Sequence, residues 1–314
     1  MRVVVLSSIW QPVVDQLQQE HDCVLAINPP DPEKMRLLAD AEIVILRSPV
    51  RLDRKSLQGA RKLQLIIRAG SGLDSIDLKS AEAQKIKVVS LPLSADSVAE
   101  HTVGLMLALA RRIPQLHTSL VAGKWEKHDA LGMELKGKTL GLIGFGRIGQ
   151  RTAELGAAFG MQLISFDRSP HRAEKQTAAQ QLGVQFFDIE SVFQNADVVT
   201  IQTPLNEQTR GLVDRNLLGA MKPCGLLINV GRGGIVDEEA LFEALVTHRI
   251  GGAALDVFEV EPPIESKLLT LKNFIGTPHV AAQTGEAQQR VGADIRKTIK
   301  KWIETSSQPF QLTD

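Results

Sequence analysis

Short apolar runs alternate with half-polar, helix-period segments from the first residues onward. The runs at residues 2–6, 23–27, 42–46, 63–68 and 87–90 are rich in Val, Ile and Leu and bounded by polar or turn residues. Continuous apolar character over so few positions is the mark of strands buried on both faces. Between them, Pro12 and Pro32 suit the first turn of a helix, and Asp31 suits a cap. Alternation of strand and helix predicts an α/β architecture, a parallel sheet covered on both faces.

The pattern changes at Ala95. Residues 95–113, ADSVAEHTVGLMLALARRI, keep a helical period but are apolar on most sides, which predicts one long helix enclosed between two bodies and marks a domain crossing. Strand-like runs resume at 139–143, 184–187, 197–202, 225–230, 252–256 and 273–276, and an amphipathic helix is expected over about 284–304, returning to the first domain. The chain therefore reads as two doubly wound parallel-sheet domains, one inserted into the other: residues 1–98 with 283–314, and residues 99–282. The tail beyond Trp302 is polar and is expected to fray.

The most informative stretch is KTLGLIGFGRIGQRTAELGAAFGMQLISFD, residues 138–167. A buried run leads into Gly144-Phe145-Gly146-Arg147-Ile148-Gly149, then about three helical turns, then a second apolar run ending on Asp167. Gly144 permits a tight turn, Gly146 lets the backbone approach a pyrophosphate, and Gly149 lets the helix pack closely on the strand. The amides of Arg147 and Ile148, at the positive end of the helix dipole, favour an anion. Asp167 lies 18 residues after Gly149, close to the spacing at which a carboxylate meets an adenosine ribose. The unit predicts a Rossmann dinucleotide site, and the acid, which repels a 2′-phosphate, favours NAD over NADP.

Composition narrows the classes. The chain has 314 residues, enough for two ordinary domains, with 36 basic and 36 acidic side chains. That balance, without charge blocks, gives no electrostatic footprint for nucleic acid or an anionic membrane. The apolar run at 103–110 is far shorter than the ~20 residues needed to cross a bilayer, and MRVVVL reads as a strand rather than a signal peptide. Only Cys23 and Cys224 are present, without metal-ligand spacing, so no metal is expected and a reduced, cytoplasmic setting is.

Three residues late in the chain carry candidate chemistry: Arg232 in NVGRGGIVDEEAL, Glu261 in LDVFEVEPP and His279 in TPHVAAQT. Each follows an apolar run, at the carboxyl end where open parallel sheets bind ligands. In this order, GFGRIG, NVGRGGIVDEEAL, AALDVFEVEPP and TPHVAA resemble the D-isomer-specific 2-hydroxyacid dehydrogenase family over essentially the whole chain. The resemblance implies an NAD-binding Rossmann domain inserted into a flavodoxin-like substrate domain, and an enzyme acting on the CH–OH group of a D-2-hydroxy acid. It places the catalytic Arg, Glu and His on Arg232, Glu261 and His279. Cofactor contacts fall on Gly144, Gly146, Arg147, Ile148, Gly149, Asp167, Thr203, Pro204, Val230, Gly231, Asp256, Ala281 and Ala282. The loop Gly70-Ser71-Gly72 resembles the one whose amides hold the substrate carboxylate.

The chemistry asks for such a set. Reduction of a 2-oxo acid needs a hydride at C2, a proton for the oxygen and a cation for the carboxylate. Arg232 offers a planar fork, His279 can carry the proton near neutral pH, and Glu261 would orient the imidazole and favour its charged form. His21, His101, His117, His128, His171 and His248 have no comparable setting and are read as structural.

Within the family, RAGSGLDSID and AGKWEKHDALGMELKGKTLG most resemble D-3-phosphoglycerate dehydrogenases, implying oxidation of 3-phospho-D-glycerate in serine biosynthesis. Arg47 and Arg68, each closing a strand, would suit the phosphate, and Lys127 could reach it from a partner subunit. Gly231, Ala281 and Gln283 depart from the common phosphoglycerate pattern toward that of hydroxypyruvate and glyoxylate reductases. With the sequence ending at Asp314, the appended serine-sensing domain of many relatives, and feedback through it, is not expected. The same scaffold also serves NADH-sensing transcriptional corepressors, a reading of another class. Apolar surface on the helix from Ala95 and on residues 113–135, together with the family's habit, implies a homodimer.

Overall fold

The computed structural model describes residues 1–128 and 130–306. The chain divides into two compact units, Met1–Ser94 joined by the segment from Gln283 onward, and Ala95–Ala282. In the first, β1 (Arg2–Val5), β2 (Asp22–Leu25), β3 (Ile43–Leu46), β4 (Leu65–Arg68) and β5 (Lys87–Ser90) pair in the order β2-β1-β3-β4-β5, all parallel. That is the flavodoxin-like order, with its reversal between β1 and β3.

The second unit holds β6 (Thr139–Ile143), β7 (Gln162–Phe166), β8 (Val184–Phe186), β9 (Val198–Ile201), β10 (Leu226–Asn229), β11 (Gly252–Leu255) and β12 (Phe274–Gly276). They pair in parallel in the order β12-β11-β10-β9-β6-β7-β8. The winding reverses between β6 and β9, the crevice where such sheets accept a dinucleotide.

Each sheet is buried on both faces because its strands feed a core on either side. In the first unit Val3, Val5, Ile43 and Ile45 pack into one cluster while Val4, Val44 and Leu46 pack into the opposite one. Each such side chain removed from water stabilises the fold by roughly 1.5–3 kcal/mol. The final helix, Gly285–Ser306, adds Val291, Ile295 and Ile299 to the first unit's cluster. Residues 307–314, on which the fraying expectation partly falls, lie outside the described residues. No helix among the described residues is long and apolar enough to cross a membrane.

Two sequence expectations are corrected. The long helix does not run continuously over residues 95–113: it ends at Ala110, Arg112 adopts a left-handed conformation (φ 54°), and a second helix spans Ile113–Val121. Pro114 accounts for the break, since its ring would clash with the Ala110 carbonyl four residues earlier and it has no N–H to donate. The Ala110 carbonyl instead accepts the Met133 amide at 2.8 Å. The first boundary also falls at Ser94/Ala95 rather than 98/99. Val98 already packs in the core with Leu140 and Leu142, and Asp96 pairs with Arg151 at 2.9 Å, so the whole helix belongs to the second unit.

Candidate active site

The glycine turn after β6 is built by close approach. Gly144 sits at φ +103°, and a methyl group on Gly149 would lie 2.2 Å from the Gly144 carbonyl oxygen, so the helix Arg147–Ala158 can start this near the strand only with glycine there. Gly146 is the N-cap, and a Cβ there would meet nothing within 4 Å. The open space in front of it, at the positive end of a 12-residue helix, is what a pyrophosphate requires. Gly144, Gly146, Asp167, Thr203 and Pro204 line one cavity of about 360 Å³. A dinucleotide therefore fits the residues present.

Asp167, one residue beyond β7, is largely buried. Its Oδ2 accepts the Phe145 amide at 2.9 Å, and its Oδ1 accepts the Ser169 amide at 2.8 Å and Lys175 Nζ at 2.6 Å. Burial opposes its ionisation, but these bonds and the charge of Lys175 outweigh it and hold the carboxyl below the ordinary range.

Seven of the predicted cofactor residues follow four adjacent strands. Thr203 and Pro204 follow β9, Val230 and Gly231 follow β10, Asp256 follows β11, and Ala281 and Ala282 follow β12. A Cβ at Gly231 would lie 2.9 Å from the Thr203 carbonyl oxygen, so the glycine that departs from the usual alanine lets the β9 and β10 loops close on each other. Asp256 is 1% exposed. Its Oδ1 accepts Thr277 Oγ1 at 2.6 Å and the Val280 amide at 2.9 Å, and its Oδ2 accepts the Ala281 amide at 2.9 Å. Burial raises its carboxyl, but His101, Thr277 and the two amides outweigh this and leave it below the usual value.

His279 and Glu261 meet beyond the ends of β12 and β11, and Arg232 follows β10. His279 has a left-handed backbone (φ 54°), and its amide donates to the carbonyls of Asp256 at 2.8 Å and Thr277 at 2.9 Å. Its Nδ1 lies 3.1 Å from Glu261 Oε1 and 2.9 Å from Oε2. The two side chains are 33% and 32% exposed, and the geometry reserves Nε2 for another partner. Glu261 Oε1 also accepts the Phe258 amide at 3.1 Å. Burial raises the Glu261 carboxyl, but the bond to His279, its charge and the Phe258 amide bring it below its ordinary value. The Arg232 loop is braced by Asn229, whose side chain accepts the Gly231 amide at 3.0 Å and donates to the Arg232 carbonyl at 2.9 Å. A methyl on Gly233 would lie 1.8 Å from the Phe258 carbonyl oxygen, so the Arg232 loop packs directly on the segment that holds Glu261.

In the first unit, Arg47 and Arg68 end neighbouring strands, with Leu46 in register with Arg68. Arg68 is 5% exposed and donates to Ser48 Oγ at 2.9 Å, while Arg47 lies 3.5 Å from Gln283 Oε1. Burial lowers the Arg47 guanidinium from its ordinary value. Gly70, Ser71 and Gly72 follow β4 in a half-exposed loop, and a Cβ on Gly70 would lie 3.1 Å from Arg68 Nη1.

Residues 103–281 match the model of the D-isomer specific 2-hydroxyacid dehydrogenase NAD binding domain. The chain belongs to this family. Its second unit is thus the NAD-binding domain of an oxidoreductase family that acts on the CH–OH group of D-2-hydroxy acids. Among similar proteins, a hydroxypyruvate reductase of Thermotoga maritima is 43% identical over 273 residues, covering 86% of this chain and 87% of that protein. A D-3-phosphoglycerate dehydrogenase of Methanocaldococcus jannaschii is 41% identical over 303 residues, covering 96% of this chain, which spans 57% of that relative's length. Among solved structures, an NAD-dependent formate dehydrogenase from Staphylococcus aureus in complex with NAD superposes with a TM-score of 0.86 at 28% identity, covering 99% and 98% of the two chains.

Sequence reasoning missed the side chains that support these groups. Lys175 enters through the helix Ala173–Leu182, eight residues after Asp167, at a position that reads as an ordinary surface lysine. His101, treated as structural, places Nε2 3.1 Å from Thr277 Oγ1 and 3.5 Å from Asp256 Oδ1, so it braces the carboxylate at the end of β11. No local pattern marks either residue, because each acts on a partner from another element.

Proposed function

We propose that the protein is an NAD-dependent D-2-hydroxyacid dehydrogenase whose substrate is 3-phospho-D-glycerate, oxidised to 3-phosphohydroxypyruvate. The observation that carries the dehydrogenase reading is the His279–Glu261 pair, with an Arg232 loop packed on the same segment. When bound, the nicotinamide supplies or accepts the hydride. In the oxidation, Nε2 of His279 takes the C2 hydroxyl proton while Glu261, already ionised, stabilises the imidazolium that results. Arg232 holds the carboxylate and the C2 oxygen, concentrating positive charge where the carbonyl forms. The reverse reduction uses the same groups with His279 as the acid.

Arg47 and Arg68 support the phosphorylated substrate, since two guanidinium groups at neighbouring strand ends suit a dianion. The amides of Gly70-Ser71-Gly72 are proposed to bind the substrate. Hydroxypyruvate reduction is the second reading, favoured by the match to the Thermotoga maritima reductase over most of both chains. Steady-state kinetics with NADH and a panel of phosphohydroxypyruvate, hydroxypyruvate and glyoxylate decides between them. The first reading expects the highest kcat/KM on phosphohydroxypyruvate, with Arg47→Gln raising its KM and sparing hydroxypyruvate. Higher kcat/KM on hydroxypyruvate or glyoxylate replaces it with the second.

A homodimer is also proposed. The exposed apolar side chains Ile113, Leu120, Val121, Trp125 and Leu131 of the second unit support it. Sedimentation at micromolar concentration should give the dimer mass; a monomer contradicts it.

A further inference from the structure

The adenosine-ribose end of the cofactor cavity carries more positive charge than its acid suggests. A carboxylate offers about four acceptor positions, and three of those on Asp167 are taken by Phe145, Ser169 and Lys175. That leaves about one for a ribose that presents two hydroxyl donors. Lys175 and Asp167 are 16% and 10% exposed, so the ion pair forms part of the cavity wall rather than a solvated contact. Arg168 and Arg172 line the same cavity. Arg168 is held by Gln208, and Arg172 lies 4.0 Å from Glu174, which is not among the lining residues. The charged groups lining this end are therefore Lys175, Arg168 and Arg172 against Asp167 alone.

We propose that Lys175 is a cofactor-specificity residue: it occupies Asp167 and offers its remaining ammonium protons, with Arg168 and Arg172, to a 2′-phosphate, so that the protein binds NADPH as well as NADH. NAD remains the preferred form, because Asp167 still has an acceptor for a free hydroxyl. The repulsion that an unpaired acid would exert on the phosphate is offset by the cation already bonded to it. An ammonium with three protons spends one on Asp167 and keeps two to donate. The inference rests on the dinucleotide reading of this cavity.

Fluorescence titration of the full chain with NADH and with NADPH tests it directly, without turnover. Wild-type protein is expected to bind NADPH within about thirtyfold of NADH, the loss of a single charge-assisted hydrogen bond being about tenfold or more. Lys175→Met should weaken NADPH by at least that about tenfold factor while NADH affinity holds or improves, and Lys175→Arg should retain NADPH binding. The NADPH affinity should also fall more steeply with salt than that of NADH. A wild-type preference for NADH beyond about a hundredfold, or equal losses of both nucleotides in Lys175→Met with Lys175→Arg unable to restore NADPH, overturns the proposal. Failure of the wild type to bind either nucleotide overturns the dinucleotide reading as well, so the two failures are told apart.

Discussion

Replacing Glu261 by Gln isolates what the carboxylate does for His279. The side chain keeps its shape and one carbonyl oxygen, so it can still accept either the Phe258 amide or His279 Nδ1, the two donors that Glu261 now serves at 2.9–3.1 Å. What it loses is charge. Hydrogen bonds to charged groups contribute about 1.5–3 kcal/mol and neutral ones about 0.5–1.5, so the protonated imidazole loses roughly 1–1.5 kcal/mol of stabilisation. One pH unit corresponds to about 1.4 kcal/mol, which places the expected displacement near one unit. The Glu261 carboxyl is held below its ordinary value, so in the wild type it is ionised throughout the neutral range and the substitution removes a full charge. The assay is kcat/KM for NADH-dependent reduction of the best 2-oxo acid, followed by NADH absorbance over about pH 5–9, the range in which a histidine acid operates. The alkaline limb of the reduction profile should move to lower pH by about one unit, with rates at the acid end largely preserved. In the oxidation direction the acid limb should move the same way. An unmoved limb removes Glu261 from its role, and a uniform fall at every pH makes it a structural residue only.

Three further outcomes follow from the same geometry. His279→Gln should lower turnover by about 10²–10⁴-fold with NADH affinity unchanged by fluorescence titration; near-normal turnover removes it as the proton carrier. Gly149→Ala brings a methyl to 2.2 Å from the Gly144 carbonyl oxygen, and overpacking of this kind costs about 1–3 kcal/mol. NADH affinity should drop accordingly while the fold persists by circular dichroism, and wild-type affinity would show the turn to be unimportant for the dinucleotide. Asp197→Asn removes the charge that accepts the Thr139 amide at 2.8 Å and Lys222 Nζ at 2.9 Å. Burial raises the Asp197 carboxyl, but the Thr139 amide and Lys222 depress it overall, so its stabilisation is complete above the unfolded value near ~3.9 and is lost as pH falls through the folded one. Urea titrations should therefore show the Asn variant weaker at neutral pH and the gap closing below about pH 4; a pH-independent gap would mean the charge contributes nothing.

Much of the molecule was legible because its signals are local. A strand buried on both faces must be apolar at successive positions, so each run announced itself, and Arg232, Glu261 and His279 each stood within six residues beyond one. The glycine unit was equally open to reading, since a tight turn, a bare N-cap and a close helix contact each demand glycine within six residues. The helix break at Arg112 was also written in the chain, as Pro114, but the apolar period across residues 95–113 masked it.

The lateral order of the strands was not local, and the working contacts depend on it. Glu261 and His279 are 18 residues apart and meet because β11 and β12 are neighbours with fixed register. Gly233 presses on Phe258 only because loops from different strands approach within a few ångströms, and Lys175 reaches Asp167 because the helix Ala173–Leu182 brings it to the end of β7. Periodicity specifies which face of an element is buried; it carries no information on which elements stand side by side. Hydrogen bonds fade within about an ångström beyond contact, so which carboxylate meets which imidazole, and which lysine bonds which acid, was decided by the packed tertiary structure.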